Sequence, residues 1–345
     1  LLKKRVEIDQ LDFHDAKINT SDFVKDARVK GNIGSLSIKS HGIDLKNHTI
    51  RIDEGALADA NLEINLADSV PPDTTETQTP WKIVADKIDV KNSTVNVAMP
   101  DNVKQIHAEI GNLSAKDGNF DLSTKQYKVG KLDIDKSRVC YDDKMETYSK
   151  GLDTNHLDFQ DISISTDSIS YKEDHLEANL RKASFKEESG LDVRQVAANI
   201  VMDDGKIKLK NALVETPDSR LRADFDMDMN TFDVQNPGKL NANVNLSLGK
   251  QDVMKMMGDV PPGFRKKWPN YPMSVNGVVR GNMDRLDFKG LNVNLPSAFR
   301  LHASGTASHL DDMKKLKADV DFQLKGHDLS LAKELLPSDV KKDIN

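Results

Sequence analysis

The chain has 345 residues, of which 37% are hydrophobic, 30% charged and 5% aromatic, with a mean hydropathy of -0.56. This balance argues against a compact enzyme with a large core, and it suits strands that bury one face and leave the other in water. The net charge of -6 is spread along the chain without a basic stripe, so nucleic acid is not an expected partner.

A ten-residue pattern occurs seven times and predicts β-strands. Positions 1 and 3 are apolar, position 2 is Asp in six copies, and position 8 is always β-branched. Position 5 is Asp, Asn or Gly except at Lys136, and these residues best tolerate a left-handed backbone. Either a two-residue turn at positions 5 and 6 or a bulge in one strand would place positions 1, 3, 8 and 10 on one apolar face. The copies are residues 11–20, 43–52, 88–97, 132–141, 157–166, 207–216 and 286–295.

The remaining elements are predicted from the places where the period of the apolar residues changes along the chain. Residues 67–80 are rich in Pro and Thr without an apolar period, which predicts a mobile loop between strands. Residues 207–225 align with 286–305, and a helix-like segment follows each block, at 252–268 and at 329–342. The expected segments are strands at 1–66, the loop at 67–80, strands at 81–205, and two strand-plus-helix units at 206–270 and 271–345. The apolar stripes of the two helices are Val253, Met256, Met257 and Val260, and Leu331, Leu335 and Leu336.

Signals for catalysis, metals or cofactors are sparse. The nine histidines form no zinc-ligand spacing, and no phosphate-binding glycine loop is present. Asp224, Asp226 and Asp228 resemble the start of a calcium loop, but Met229 occupies the place of its glycine, and a strand is the better interpretation. We therefore predict no enzyme activity, no metal and no cofactor.

The pattern "apolar-Asp-apolar-x-Asn" followed by a β-branched strand resembles the AsmA-like/TamB family, as do the blocks 190–219 and 275–286. The likeness covers most of the chain and corresponds to an N-terminal or middle portion of such a protein. It implies a mainly β fold, an elongated and curled antiparallel sheet that forms an apolar groove, with short amphipathic helices in the C-terminal third. It also implies a location in the periplasm of a Gram-negative bacterium, anchored in the inner membrane by a segment missing from this chain. The partners that the resemblance implies are phospholipid, and an outer-membrane barrel of the BamA class contacted through parts of the protein not present here.

The residues support a lipid groove independently, because a sheet with one apolar face and few aromatic side chains has no obvious second layer to cover that face. Burial of a diacyl lipid of about 30 methylenes gains on the order of 20 kcal/mol relative to water. The expected lining consists of Ile43, Leu45, Ile50, Ile52, Ile88, Val90, Val95, Val97, Leu132, Ile134, Val139, Leu157, Phe159, Ile164, Ile207, Leu209, Val214, Leu286, Phe288 and Val293.

Other interpretations of the same pattern remain open. The apolar positions could be the core of a sandwich, since periodicity looks the same in both cases. The function expected first is conduction of phospholipid between the inner and outer membranes. The alternatives are a scaffold or chaperone for the assembly of outer-membrane barrels, and a surface β-solenoid enzyme or adhesin acting on glycans.

Overall fold

The computed structural model is mainly β, and it confirms the predicted fold class of a curled sheet with few helices. It describes residues 5–6, 9–19, 27–66, 81–100, 103–231, 233, 235–282, 284–309, 316–326, 328 and 330–331, so the predicted loop at 67–80 lies outside the described residues. The chain divides into two compact units, residues 1–148 with 153–188, and residues 149–152 with 189–345.

The first unit consists of one sheet in which neighbouring strands are mostly antiparallel. One pair corrects the all-antiparallel prediction, because the fourth and fifth strands run parallel, with Thr49 opposite Lys82 and Asn65 opposite Ala98. Parallel neighbours need a crossover of a dozen or more residues, and the stretch between these two strands has that length. The strands are β1 (Arg5–Val6), β2 (Gln10–Asn19), β3 (Ala27–Asp44), β4 (Thr49–Leu66), β5 (Lys82–Ala98), β6 (Lys104–Asp121), β7 (Gln126–Asp143), β8 (His156–Lys172) and β9 (His175–Glu187).

Six of the seven copies of the pattern form a single strand with a bulge, and the two-residue turn that we considered is wrong. Position 5 has a positive φ in all six, between 46° and 59°, and Lys136 adopts it despite its side chain. The copy at residues 43–52 is different, because it forms the β3–β4 hairpin, in which Ile43 pairs with Ile50 and Leu45 lies in the turn. In each of the six, the left-handed residue returns positions 3 and 8 to the same face. The pairing register shifts by one residue at Lys136, Asp161, Asn211 and Gly290, whereas at Asp15 and Asn92 the neighbouring strand skips a residue as well.

Glycine on the neighbouring strand makes room for such left-handed residues, both at Lys136 and at Asp59 on β4, which has the same positive φ outside the copies. A Cβ built at Gly34 would lie 2.8 Å from the Cβ of Asp59, and one built at Gly111 would overlap the carbonyl oxygen of Lys136. The obstruction comes from backbone or from a Cβ, neither of which can rotate away. The close approach of the two strands at the bulge therefore requires glycine at these positions.

We expect the substitution Gly111→Ala to lower the free energy of unfolding by about 2 kcal/mol, because the added methyl must push the bulge at Lys136 away. Urea unfolding followed by circular dichroism measures the change. The matched control is Asn112→Ala at the next, exposed residue, which should change the free energy of unfolding by less than about 0.5 kcal/mol. Equal effects of the two substitutions would contradict the close approach.

The second unit contains an antiparallel sheet and two short helices. The predicted helix at 252–268 is two helices, since Gly258 ends the first and Pro262 begins the second. The elements are β10 (Asp192–Asp203), β11 (Lys206–Glu215), β12 (Arg220–Asp228), β13 (Leu240–Leu248), α1 (Lys250–Met257), α2 (Pro262–Lys267), β14 (Met273–Gly281), β15 (Arg285–Leu295), β16 (Phe299–Ser308) and β17 (Lys317–Gly326). Neither described helix has the length or the apolar run that crossing a bilayer requires.

The helices build the main hydrophobic cluster of the second unit. Its buried members are Val253, Met254, Phe264, Trp268, Leu295, Ala298 and Leu331. Met256 and Met257, which we expected on the buried stripe of α1, are 45% and 44% exposed, because the buried face of this helix runs through Val253 and Met254 instead. The second predicted stripe is described only at Leu331, which is buried; Leu335 and Leu336 lie outside the described residues.

A buried histidine holds the connection between β7 and β8. His156 Nδ1 lies 2.9 Å from Oδ2 of Asp153, and Nε2 lies 3.1 Å from the carbonyl oxygen of Asp143. Both neighbours are acceptors, so both ring nitrogens must donate, and only the protonated imidazolium can do so. Asp142 and the stacked ring of Tyr148 complete the surroundings. The hydrogen bond to Asp153 accordingly raises the pKa of His156 above its usual value.

Because the pKa of His156 is raised in the folded state, its contribution to stability is full below the ordinary histidine pKa and is lost as pH rises through the raised value. We expect the urea midpoint to fall across this range and His156→Gln to flatten the dependence. The exposed His14→Gln is the control and should leave the slope unchanged. An identical pH slope in His156→Gln would rule out the charged form.

Candidate functional site

Two lines of bulges bend the sheet of the first unit. The first line passes through the position-5 residues Asp15, Asn92, Lys136 and Asp161, joined by Asp59 on β4. The second line is marked by the positive φ of Asp117 and Ser168, and by Asp53 and Asp86, which drop out of the β4–β5 register. A bulge bends its strand, so two lines give the sheet two corners. The result is a trough with a floor between two walls.

Cross-strand pairing arranges the inner side chains in rows that run along the trough. The first corner lies at the first line of bulges and the second corner at the second line, with the floor between them. We call the two rows outside the first corner the near wall, and the single row outside the second corner the far wall. The near wall consists of Val29, Ile64, Val97, Ile106, Tyr141 and Leu157, and of Ile18, Gly31, Leu62, Val95, Ala108, Val139 and Phe159. The floor consists of Phe13, Leu36, Leu57, Val90, Leu113, Ile134, Ile164 and Ala183, and of Leu11, Ile38, Gly55, Ile88, Ala115, Leu132, Thr166 and Leu180. The far wall consists of Ile43, Ile50, Ile83, Phe120, Tyr127, Tyr171 and Leu176.

The corners are closed by small or compact side chains. The first corner consists of Ala16, Ile33, Ala60, Ser93, Ile110, Ser137 and Ile162, and the second of Ile52, Ala85, Gly118, Val129 and Ile169. Ser93 is 3% exposed and Ala85 is 2% exposed. All elements described in this unit are strands of one sheet, so among the described residues it is the bent sheet that covers these side chains.

The floor and walls are less buried than the corners, and the trough is therefore not filled by a second layer of the described residues. On the floor, Leu11 is 37% exposed and Phe13 is 44% exposed, and on the far wall Tyr171 is 40% exposed. The other side chains of floor and walls are mostly half-buried. A sandwich core would bury both facing layers. The observed exposure is that of an open apolar surface.

The outer face carries the charges. Asp158 accepts two hydrogen bonds from Arg138, at 2.9 and 2.8 Å, and this guanidinium lowers the pKa of Asp158 to about 2. Asp133 lies 2.7 Å from Nζ of Lys131, which lowers the pKa of that carboxyl, and Lys87 does the same to Asp89. These aspartates occupy position 2 of their copies. They form ion pairs on the solvent side rather than a paired-carboxylate site.

The structure brings nineteen of the twenty predicted lining residues onto an apolar face, and Leu45 alone lies in a turn, 45% exposed. Thirteen belong to the trough of the first unit. They comprise Ile43 and Ile50 on the far wall, Ile52 at the second corner, Ile88, Val90, Leu132, Ile134 and Ile164 on the floor, and Val95, Val97, Val139, Leu157 and Phe159 on the near wall. The remaining six, Ile207, Leu209, Val214, Leu286, Phe288 and Val293, line the sheet of the second unit.

The second unit repeats this arrangement with one line of bulges, at Asn211 and Gly290. Its lining rows include Ile207, Met227, Leu240, Gly281, Leu286 and Ala307, then Leu209, Phe225, Ala242, Val279, Phe288 and Gly305, and finally Val214, Leu221, Leu246, Val275, Val293 and Leu301. The next row, Leu248, Met273, Leu295 and Phe299, belongs to or packs against the helix cluster. Among the described residues the helices thus cover one wall of this groove and leave the other rows open.

Two thirds of the floor and wall residues of the trough were missed by sequence reasoning. The strands β4 and β6 run between copies of the pattern, yet Leu57, Leu113 and Ala115 lie on the floor beside predicted residues. Phe120 and Tyr127 on the far wall were also missed. Their period-2 alternation, once corrected for the bulge at Asp117, is the signal that could have identified them.

Comparison of the chain with models of protein families, with curated proteins and with solved structures gave no match.

Proposed function

We propose that the chain is the groove portion of a protein that conducts phospholipid between the inner and outer membranes of a Gram-negative bacterium. The observation that carries the proposal is the continuous, open apolar lining of the first unit, in which every row passes from strand to strand without a charged side chain. Acyl chains are the ligand class that matches such a surface, because each buried methylene contributes about 0.8 kcal/mol without requiring a directional contact.

The shape of the trough favours movement along it. Rows of similar aliphatic side chains repeat at every strand, about 4.8 Å apart. A chain that moves by one strand exchanges one set of contacts for a similar set, so the barrier to sliding is low. Among the described residues, the floor and the near wall present no convergent polar groups of the kind that fix a single ligand pose. In this proposal, a periplasmic location and an inner-membrane anchor outside this chain would place the trough between the two membranes.

Photocrosslinking tests the proposal directly. A benzophenone side chain at Val95 or Ile134 faces the trough, whereas one at Asp135 faces solvent beside it. After irradiation in cells, we expect phospholipid attached to the first two variants and not to the third, as detected by mass spectrometry of the purified protein. Equal labelling at Ile134 and Asp135, or no lipid at all, would defeat the proposal.

One observation favours the alternative of a scaffold for barrel proteins. On β17, Phe322 is 65% exposed and Leu324 is 47% exposed, although both alternate on the apolar face of the sheet. An exposed apolar strand can pair with an incoming unfolded strand. This alternative predicts that benzophenone at Gln323 or Lys325 captures unfolded barrel precursors, and that Val95 and Ile134 capture no lipid.

A further inference from the structure

Three aromatic side chains stand side by side on the far wall of the trough. The ring centroids of Phe120 and Tyr127 are 6.4 Å apart at an interplanar angle of 44°, and those of Tyr127 and Tyr171 are 6.0 Å apart and nearly parallel. They come from three successive strands, β6, β7 and β8, and are paired directly across them. We call these three residues the ring ladder. The rest of the far wall is aliphatic, so the ladder is a local feature of the lining.

The ring ladder lies at the rim, where the apolar lining ends. Phe120 is the last residue but one of β6, Tyr127 is the second residue of β7, and Tyr171 is the last residue but one of β8. Immediately beyond these positions the chain turns through residues 121–126 and 172–175, which are polar or charged apart from the exposed Leu122. A tyrosine has an apolar ring and a polar hydroxyl, and it is enriched where one end of the side chain is apolar and the other is wet.

The hydroxyl groups of the ladder are open to a ligand. In the described part of the chain, neither Tyr127 nor Tyr171 has a hydrogen-bond partner for its hydroxyl, and Tyr171 is 40% exposed. In the outermost row of the near wall, the one described tyrosine is Tyr141, paired with Ile106 and Leu157. Tyr148, which stacks on the neighbouring His156, already donates its hydroxyl to Asp142. Among the described residues, the far rim alone therefore offers two adjacent hydroxyl groups without a partner on a stacked aromatic surface.

The path along the strand from floor to rim matches the length of an acyl chain. Five residues separate Leu132 on the floor from Tyr127 at the rim, and at about 3.3 Å per residue this path, which bends at Val129, is roughly 16 Å long. One leaflet of a bilayer holds its acyl chains within about 15 Å, half of the hydrocarbon thickness. A lipid with its chains on the floor would bring its glycerol ester groups to the level of the ring ladder.

We infer that the ring ladder orients the lipid in the trough, with the ester and head-group region at the Phe120–Tyr127–Tyr171 rim and the chain ends towards the floor. The inference rests on the proposed function, and it names the ligand class as a glycerolipid with ester carbonyl acceptors rather than a pure hydrocarbon. The tyrosine hydroxyls donate to these acceptors, and the stacked rings pack against the first methylenes. Tyr127 and Tyr171 are then specificity-determining residues of the groove.

The orientation can be read from the part of the lipid that each position captures. Benzophenone replaces Tyr171 at the rim or Ile134 on the floor in the full chain, and vesicles of dioleoyl phosphatidylethanolamine supply the lipid. Fragmentation of the crosslinked peptides should place the attachment within the glycerol region or the first methylenes for residue 171, and in the distal half of the chain for residue 134. Attachment of chain ends at residue 171, or the same distribution at both positions, overturns the orientation while leaving lipid binding intact. Lipid at neither position defeats both the inference and the proposed function.

The hydroxyl groups are tested by a substitution that keeps the rings. The double variant Tyr127→Phe and Tyr171→Phe should bind about tenfold less phosphatidylethanolamine, because two hydrogen bonds are removed. Its binding of squalene, a hydrocarbon without acceptors, should not fall. Tyr141→Phe on the opposite rim is the matched control and should leave both ligands unaffected. Unchanged phosphatidylethanolamine binding in the double variant, or an equal loss for squalene, would overturn the role of the hydroxyls.

Discussion

Leu113→Glu should remove most of the bound lipid from the purified protein, whereas Asn112→Glu should leave it unchanged. The two residues are adjacent on β6 but point to opposite faces. Leu113 lies on the floor between Val90 and Ile134, and Asn112 is exposed on the outer face between Lys91 and Asp135. A carboxylate on the floor would have to lose its water when an acyl chain passes over it, and the contacts of the leucine side chain are lost as well. We expect the free energy of lipid binding to weaken by about 1.4 kcal/mol or more, which corresponds to at least a tenfold lower affinity.

The measurement is lipid per protein by mass spectrometry after identical purification of the two variants. Because Leu113 is only half-buried, we expect Leu113→Glu to fold, and circular dichroism together with a urea midpoint checks this. Should the two variants retain equal lipid, the apolar floor would not be the binding surface. Should Asn112→Glu lose lipid as strongly as Leu113→Glu, the effect would be one of charge and not of the trough.

The sequence predicted the apolar face well because the bulge leaves a local signal. At Asn92 the residue type allows a left-handed backbone, and the apolar positions change parity on either side of it. The same signal was weaker at Lys136, where only the surrounding pattern indicated the bulge. Gly34, a residue type common in turns, lies within β3, opposite the bulge at Asp59. A turn and a bulge share the same residues, so local composition could not separate them.

The corners could not be predicted, because serine at position 6 looks like a solvent residue. Ser93 is nevertheless buried, since its hydroxyl accepts a hydrogen bond from the backbone N–H of Ala60 at 3.2 Å and donates to the carbonyl of Lys91 at 2.8 Å. Ser137 makes the equivalent bonds, accepting from Gly111 and donating to Asp135. These bonds satisfy backbone groups that the bulge removes from the ladder. They depend on neighbouring strands that are distant in sequence.

The parallel β4–β5 pair and the true helix faces also depend on tertiary structure. The apolar residues of β4 and β5 match in either direction, since both strands alternate with the same period. For α1, spacing alone selected Met256 and Met257, but a helix of eight residues leaves them in solvent. The bulk of the cluster comes from Phe264 on α2, which follows Pro261 and Pro262, and from Trp268 at the C-terminal end of that helix.

Trp268→Ala should destabilise the second unit by about 3–5 kcal/mol, the usual cost of removing a large buried aromatic side chain. Trp268 is 7% exposed, and its ring centroid lies 5.3 Å from that of Phe264, with Leu295 and Ala298 in the same cluster. Removal leaves a cavity beneath both helices, so we expect α1 and α2 to detach from the wall formed by Leu248, Met273, Leu295 and Phe299. That row would then join the open lining of the groove.

Three variants distinguish the packing of the Trp268 ring from the effect of any substitution between Pro261 and Pro272 on the free energy of unfolding. Trp268→Phe keeps an aromatic ring in the cluster and should cost much less than Trp268→Ala. Tyr271→Ala, at a residue that is 66% exposed, should change the free energy of unfolding by less than about 0.5 kcal/mol. Urea unfolding gives the free energies, and amide hydrogen exchange locates the loss of protection to residues 250–268. If α1 and α2 cap the wall, their attachment depends on the buried ring of Trp268. Equal free energies of unfolding for Trp268→Ala and Tyr271→Ala would therefore mean that the two helices do not pack firmly on the sheet.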